Sequence, residues 1–271
     1  MVLHDPGTLT AFLKRHGLRA DKGLGQHFLV SERAVRAIVD ALDGCQGVLE
    51  IGPGPGVLTR PLSERVLRIT ALELDPRFVR ILSESSPRAQ VVQADALKAD
   101  WSAHLEALPT SRAIVSNLPY YITAPLLQRV ADVRHLIDVA VLMMQREVAE
   151  RITAPPGDGD RGSISVYLQA NFEIRRVAQV PAEAFLPPPQ VDSMVLSFRP
   201  RDEAVPESVF RFVRLGFTQP RKTLANNLVA GLRLNRDEVI DRLEAQGHRE
   251  KVRAQDLDLP QWRALADAFG A

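Results

Sequence analysis

The chain has a single cysteine, Cys45, among its 271 residues. One cysteine excludes an internal disulfide framework, and no Cys/His cluster has metal-ligand spacing, so we predict no metal site. Long apolar runs are also missing. The longest uncharged one, Val139 to Met144, is far shorter than the roughly 18 to 20 residues of a membrane span, and the N-terminus lacks the apolar core of a secretory signal. We therefore expect a cytoplasmic protein with no membrane partner.

The chain has almost no net charge, +1 in total, which neither indicates nor excludes a polyanionic partner. Acidic residues are missing locally, between Ser208 and Arg236. The basic residues of that stretch are Arg211, Arg214, Arg221, Lys222, Arg233 and Arg236. The N-terminal arm is similar, because Asp21 alone opposes Lys14, Arg15, Arg19 and Lys22. Two such stretches are typical of a phosphate-backbone footprint, and ordinary solvated helix faces are the alternative interpretation.

Apolar residues are plentiful, at 45 % of the chain, which is enough for one large or two modest domains. From Gly47 to Met144 short β-branched runs alternate with longer helical patterns. The predicted strands are Val48–Ile51, Arg68–Glu73, Gln90–Gln93, Ala113–Ser116 and Leu136–Met144. Apolar strands separated by helices indicate a parallel sheet covered on both faces. The predicted fold class is therefore α/β, a doubly wound, mostly parallel Rossmann-like sheet.

The C-terminal third shows a different pattern. Two candidate strands, Asn171–Val180 and Ser193–Arg199, are too close in sequence for a helix between them, so this end of the sheet is expected to be antiparallel. Beyond Pro200 the predicted elements are helices near Glu207–Gly216, Lys222–Val229, Arg236–Ala245 and Gln261–Ala268. We predict a first domain over 1–200, with an arm over 1–30, and a smaller all-helical domain over 201–271. The segment Ala154–Gly162 indicates an exposed mobile loop.

Three glycines, Gly52, Gly54 and Gly56, stand at alternate positions directly after the first predicted strand. Glycine allows a sharp turn and a close approach of a ligand to the backbone. The dinucleotide fingerprint needs a further glycine where this chain has Val57, which disfavours nicotinamide. Prolines at 53 and 55 also remove two N–H groups that a pyrophosphate would need. The pattern favours a nucleoside cofactor without phosphate, such as S-adenosylmethionine.

Acidic residues lie at the ends of three successive predicted strands. Glu50 is next to last in the first strand, and Glu73 ends the second, about 20 residues past the glycines, where a carboxylate can accept from both ribose hydroxyls. Asp95 follows the third, in a position suited to accepting from an adenine amino group. Asp75 is predicted to cap the helix at Pro76 instead. A single acid at a strand end is commonplace, but the succession favours one shared site.

The fourth predicted strand ends in Asn117, Leu118, Pro119 and Tyr120. An adenine amine is a poor nucleophile because its lone pair is delocalised into the ring. The Asn117 side-chain oxygen and the Leu118 carbonyl could accept its two hydrogens and favour the nucleophilic nitrogen. Tyr120 would stack on the base, and Pro119 would stiffen the turn. An ordinary strand exit is the alternative, and the glycine loop some 60 residues earlier weighs against it.

These motifs resemble those of a known family. Its marks in this chain are Gly25–Leu29, Glu50–Gly54, Glu73–Asp75, Asp95–Ala96, Asn117–Tyr120, Phe185–Ser193 and Arg221–Leu228. The chain is similar over roughly residues 20–230 to the rRNA adenine N6,N6-dimethyltransferases, and within them to the bacterial 16S rRNA branch. The tetrad Asn-Leu-Pro-Tyr separates it from DNA adenine methyltransferases.

The resemblance implies roles for individual residues. His27 and Leu29 are implied to touch S-adenosylmethionine through the arm, and Phe185 to form a second stacking wall for the target adenine. Many relatives have Asn in place of His27, and His can still donate a hydrogen bond. The rest of the implied cofactor pocket comprises Gly52, Gly54, Glu73, Asp95, Ala96 and Asn117. The implied partner is 16S rRNA in a small ribosomal subunit or its precursor, bound by a monomer, with Arg211, Arg214, Arg221 and Lys222 as candidate contacts.

Two alternatives stay open. One is a 23S rRNA methyltransferase of the macrolide-resistance type, against which stand the helical tail past Pro200 and the segment Phe185 to Ser193. The other is an RNA-binding assembly or transcription factor that keeps the fold without the activity. Intact Glu73, Asp95 and Asn117 argue against loss of catalysis, because a binding protein has no evident need of them.

Overall fold

The structure is a computed structural model that describes residues 2–20, 26–42 and 44–270. Its helices are α1 (Pro6–Arg15), α2 (Glu32–Asp40), α3 (Thr59–Arg65), α4 (Pro76–Ser85), α5 (Trp101–Glu106), α6 (Thr123–Asp132), α7 (Arg146–Thr153), α8 (Ser163–Asn171), α9 (Glu207–Gly216), α10 (Leu224–Leu232), α11 (Arg236–Ala245) and α12 (Leu259–Ala268). Its strands are β1 (Phe28–Leu29), β2 (Gly47–Ile51), β3 (Arg68–Glu73), β4 (Gln90–Gln93), β5 (Arg112–Asn117), β6 (Val139–Gln145), β7 (Phe172–Val180), β8 (Phe185–Leu186) and β9 (Ser193–Pro200). The sequence-predicted arm residues Asp21, Lys22 and Gly25 lie outside the described residues.

A seven-stranded sheet has the order β4-β3-β2-β5-β6-β9-β7. The strands from β4 to β6 pair in parallel, and β9 runs antiparallel to β6. The central strands β2, β5 and β6 are buried almost throughout, as expected for a sheet covered on both faces. The doubly wound, mostly parallel sheet and its antiparallel end are therefore confirmed.

Among the element boundaries that differ from the predictions, one is set by a helix cap and one by a 3-10 turn. The predicted helix Lys222–Val229 begins at Leu224, because Thr223 is its N-cap and accepts from the Asn226 N–H. The predicted strand Leu136–Met144 begins at Val139, because a 3-10 turn occupies Arg134–Leu136. Elements that were not predicted include α1, α7, α8, and the strands β1 and β8, which pair with each other. The two-residue strands are too short to show a periodicity.

The chain divides into two compact units. Unit 1 comprises Met1–Ala149 and Ile174–Pro200, and unit 2 comprises Glu150–Glu173 and Arg201–Ala271. The predicted division at residue 200 coincides with one boundary, but residues 150–173 group with unit 2 and not with the first domain as predicted. The reason is the packing of α8: Val166 belongs to the core formed by α9 to α12, and the Tyr167 ring lies edge-on to Phe210 at 4.8 Å.

The segment Ala154–Gly162 is exposed from residue 155 to 160, as predicted. Its end is anchored, because Arg161 is only 5 % exposed and donates to the Ala154 carbonyl at 2.6 Å and to Gln169 Oε1 at 2.7 Å. Within the described ranges, no helix is long and apolar enough to cross a membrane. In the same ranges, no three His, Cys, Asp or Glu side chains are grouped as metal ligands.

Candidate functional site

The carboxyl ends of the parallel strands meet along one edge of the sheet, where unit 1 has a cleft of about 650 Å³. Ligands of open α/β sheets bind at such an edge. The cleft brings together residues predicted from four strand exits and from the arm. They are His27, Leu29, Gly52, Gly54, Glu73, Asp95, Ala96, Asn117, Leu118, Pro119 and Tyr120.

The glycine loop follows β2 and has left-handed backbone at two decisive positions. Gly54 has φ 56° and Gly56 has φ 93°. A Cβ at Gly56 would lie 2.6 Å from Ser85 Oγ, and one at Gly54 would lie 3.2 Å from the Phe28 ring. A side chain at Gly56 is therefore excluded by both contact and backbone conformation, and one at Gly54 is disfavoured by its left-handed backbone. The loop consequently lines the cleft with its backbone.

Glu73 connects this loop to the next strand. Its carboxylate is 7 % exposed, and its two oxygens accept from the Gly54 N–H at 2.9 Å and the Asp75 N–H at 2.8 Å. Burial raises the pKa of Glu73, against the lowering effect of these hydrogen bonds. Each carboxylate oxygen has a second acceptor site, so Glu73 can hold the loop and still accept from a ligand. Asp75 caps α4 through the Arg77 N–H at 2.9 Å, as predicted.

The turn after β4 is fixed by its own hydrogen bonds. Asp95 Oδ1 accepts from the Leu97 N–H at 2.9 Å, and the Ala96 carbonyl accepts from Trp101 Nε1 at 2.9 Å. The Asp95 side chain remains 34 % exposed, and both Asp95 and Ala96 line the cleft. The structure therefore places a half-buried carboxylate where the sequence predicted an acceptor.

Glu50 has an environment that the sequence did not show. Its side chain is 2 % exposed, and its Oε2 has no hydrogen-bond partner among the described residues. Burial raises the pKa of Glu50 to about 8, and the nearby charge of Glu73 adds to the rise. An orphaned oxygen in the wall of a cleft is a group that a bound polar ligand can satisfy.

Replacing Glu50 with Gln is expected to stabilise the protein at alkaline pH more than at acid pH. The carboxyl has its ordinary pKa of 4.5 when unfolded and about 8 when folded. Its contribution is therefore fully present below about pH 4.5 and is lost as the pH rises through about 8. The variant should recover on the order of a few kcal/mol at alkaline pH. Thermal unfolding of both proteins at about pH 5 and about pH 9 measures this difference, and the same difference at both would contradict the raised pKa.

Asn117 ends β5 with a fixed amide group. Its Nδ2 donates to the His27 carbonyl at 3.0 Å, and the next residue, Leu118, donates its N–H to the Met143 carbonyl at 2.9 Å. In the part of the chain that the structure describes, no donor satisfies the Asn117 Oδ1 or the Leu118 carbonyl. The two acceptors predicted for an amino group are therefore unoccupied by protein donors in these residues.

His27 joins the arm to the tetrad, a connection that no local sequence signal predicts. Its ring stacks on Tyr120 with centroids 5.8 Å apart and planes at 23°. Its Nδ1 donates to the Pro187 carbonyl at 2.8 Å. Tyr120 Oη in turn lies 3.1 Å from Ser193 Oγ, and burial raises the pKa of Tyr120. Ser193 thus supports the tetrad, although the sequence offered it only as a mark of resemblance.

The structure places Phe185 in the core of unit 1. It is 2 % exposed, belongs to the core of unit 1 and is not among the residues lining the cleft. The physical reason is strand pairing: Phe185 lies opposite Leu29 in the β1–β8 ladder, which directs its ring into the core. In this structure Phe185 packs in the core opposite Leu29 of the arm, and its role as a stacking wall stays a prediction.

The family model of the ribosomal RNA adenine dimethylases matches residues 17–259. The chain belongs to this family. Ribosomal RNA small subunit methyltransferase A of Geobacillus thermodenitrificans is 37% identical over 280 residues, which cover 97% of this chain and 96% of that protein. The resemblance in the motifs is thus confirmed over nearly the full length.

Two solved structures share the fold. A dimethyladenosine transferase from Plasmodium falciparum has a TM-score of 0.75 at 25% identity, covering 90% of this chain and 98% of that one. The 23S rRNA methyltransferase ErmE has a TM-score of 0.68 at 27% identity, covering 90% of this chain and 100% of that one. These neighbours confirm the predicted Rossmann-like methyltransferase fold.

Proposed function

We propose that this ribosomal RNA adenine dimethylase transfers methyl groups from S-adenosylmethionine to N6 of adenines in 16S rRNA, within a small ribosomal subunit or its precursor. The observation that carries the proposal is the convergence of the glycine loop, Glu73 and Asp95 with Asn117–Tyr120 in one cleft. A cytoplasmic location and a monomeric state remain predictions that accompany it.

The charges of the cleft suit a cationic nucleoside cofactor. Among the described residues, its lining carries the carboxylates of Glu73, Asp75 and Asp95, and Arg77 is paired with Asp75 at 2.5 Å. The carboxyl of Glu50, whose pKa burial raises to about 8, adds no negative charge at neutral pH. Such a lining repels a polyphosphate. Glu73 has remaining acceptor sites for ribose hydroxyls, and Asp95 has acceptor sites for an adenine amine. The Glu50 oxygen that lacks a hydrogen-bond partner among the described residues can accept from a further polar group of the ligand. When bound, S-adenosylmethionine supplies an electrophilic methyl group.

The strand exit supplies the groups that act on the target base. Asn117 Oδ1 and the Leu118 carbonyl accept the two amine hydrogens, which favours the rehybridised nitrogen that attacks. Tyr120, braced by His27 and Ser193, stacks on the ring and holds it in line. The acceleration comes from positioning and preorganised acceptors. A second methylation requires that the same site accept a monomethylated amine.

Incubation with labelled S-adenosylmethionine and unmethylated small subunits, followed by mapping of modified bases, tests the proposal. The expected result is dimethylated adenine in 16S rRNA. A parallel reaction with 23S rRNA tests the macrolide-resistance alternative. The structural likeness to the 23S rRNA methyltransferase ErmE is the reason to include this reaction. Label in 23S rRNA alone would select that alternative. Particle binding without transfer of label would select the non-catalytic assembly factor.

Unit 2 carries the acid-free basic run on exposed positions. Arg214 pairs with Glu207 at 2.6 Å and Arg236 with Glu250 at 2.7 Å. No acidic partner is present in the described ranges for the remaining members, Arg211, Arg221, Lys222 and Arg233. Buried Asn227 braces the loop before α10, since it accepts from the Gln219 N–H and donates to the Gly216 carbonyl. Arg221 and Lys222 are thus presented on a braced loop.

Reversing Arg221 and Lys222 together to Glu is expected to weaken binding to the ribosomal particle. Two lost phosphate contacts release fewer counterions, so the decline of affinity with salt should also be shallower. Cofactor affinity should not change, because the cleft lies in unit 1. Filter binding over a salt series and calorimetry with the cofactor measure the two effects.

A control variant reverses Arg65 and Arg88, exposed residues that precede β3 and β4 and therefore lie at the amino ends of the strands, away from the cleft. It changes the net charge by the same amount. If the Arg221/Lys222 variant retained the parent's affinity and salt slope, these residues would be only solvated helix caps.

A further inference from the structure

A second groove of about 480 Å³ lies in unit 1 beside the strand exit. It is lined by residues 177–181 of β7 and its end, and by Arg33, Arg146, Asp192 and Ser193. Ser193 Oγ is 3.1 Å from Tyr120 Oη. A single side chain therefore separates this groove from the ring proposed to hold the target adenine.

The groove combines arginines from two helices that are distant in sequence. Arg33 lies in the first turn of α2 and is exposed, and no acidic partner for it occurs in the described chain, since the neighbouring Glu32 pairs with Arg36 at 2.6 Å. Arg146 begins α7, and its Nη1 lies 3.1 Å from Asp192 Oδ2. Among the described residues that line the groove, two arginines and one aspartate carry charge, which gives the groove a net positive charge.

The hydrogen bonds of Asp192 are made to other groups of the protein. Besides Arg146, its carboxylate accepts from the Ala182 N–H at 3.1 Å, and its carbonyl accepts from the Arg146 N–H at 2.9 Å. These bonds fix the Arg146 backbone and the wall of the groove. The unneutralised charge is that of Arg33.

We propose that this groove binds a backbone phosphate of the RNA strand that flanks the target adenine. The proposal rests on the proposed function, because that function places the adenine at Tyr120. A base that leaves its stack to enter a cleft keeps its flanking phosphates close to the cleft mouth. Guanidinium groups match phosphate geometry with paired N–H donors. The groove thus fixes the strand while the cleft holds the base.

The test measures binding of a short, unstructured oligoribonucleotide with one adenine among uridines, by fluorescence anisotropy over a salt series. Arg33→Ala should weaken binding by about fivefold and flatten the log–log salt slope by about 0.7, the value for one phosphate on a single strand. Arg33→Lys should restore part of the affinity. Arg65→Ala, which removes the same charge from an exposed position outside the groove, should bind like the parent.

Methylation of small subunits by the same proteins separates the two proposals. If the parent binds and methylates but Arg33→Ala and Arg65→Ala behave alike, the groove proposal is overturned and the proposed function stands. A parent protein that neither binds nor methylates RNA overturns both. Unchanged cofactor affinity and melting temperature are expected for Arg33→Ala, because the side chain is exposed and outside the cofactor cleft.

Discussion

Asn117→Ala is expected to slow methyl transfer by about 100- to 1,000-fold, the usual loss when one preorganised group of a transition-state site is removed. The side-chain oxygen of Asn117 has no donor in the described chain, and we propose that it accepts an amine hydrogen. RNA affinity should change little, because the proposed contact serves the flipped base and not the phosphate backbone. Single-turnover rates at saturating cofactor and RNA, with RNA binding measured separately, check both expectations.

Asn117 also holds the arm, since its Nδ2 donates to the His27 carbonyl. Cofactor affinity distinguishes the two roles: displacement of the arm would weaken cofactor binding, whereas loss of the acceptor would not. Tyr120 offers a matched pair of variants. Tyr120→Phe removes only the hydrogen bond to Ser193 and should stay within a few-fold of the parent, while Tyr120→Ala loses the stack and should be far slower. Near wild-type rates for Asn117→Ala and Tyr120→Ala would remove both residues from the catalytic group.

Glu73→Ala is expected to weaken S-adenosylmethionine binding by about 1 to 3 kcal/mol, through loss of charge-assisted hydrogen bonds to the ribose. The structure adds a second cause, because Glu73 also accepts from the Gly54 and Asp75 N–H groups. Without the carboxylate the glycine loop loses its link to β3. Calorimetric titration measures the affinity, and thermal unfolding measures the structural part.

The control is Glu64→Ala, which removes one negative charge from an exposed position on α3 outside the cleft. It should bind the cofactor like the parent. A folded Glu73→Ala protein with unchanged cofactor affinity would refute the assignment of Glu73 to the cofactor site.

Strand exits and helix starts could be predicted because their signals are local. The bounds Arg68–Glu73, Gln90–Gln93, Glu207–Gly216 and Arg236–Ala245 agree with the structure. In a parallel sheet the carboxyl ends of the strands lie along one edge, so local predictions of four exits suffice to predict that their residues converge. The sequence therefore determined the fold class, the family and the strand exits whose residues line the cleft.

Other features depend on contacts between distant parts of the chain. His27 and Pro187 are 160 positions apart and are joined by a hydrogen bond. The adjacent residues form the β1–β8 pairing, which buries Phe185. A two-residue strand has no periodicity to read, so neither position was predictable. Contacts between distant parts of the chain also determine that residues 150–173 group with unit 2. They likewise bury Glu50, which raises its pKa. Burial is a property of the packed core, and only the tertiary structure decides which side chains share it.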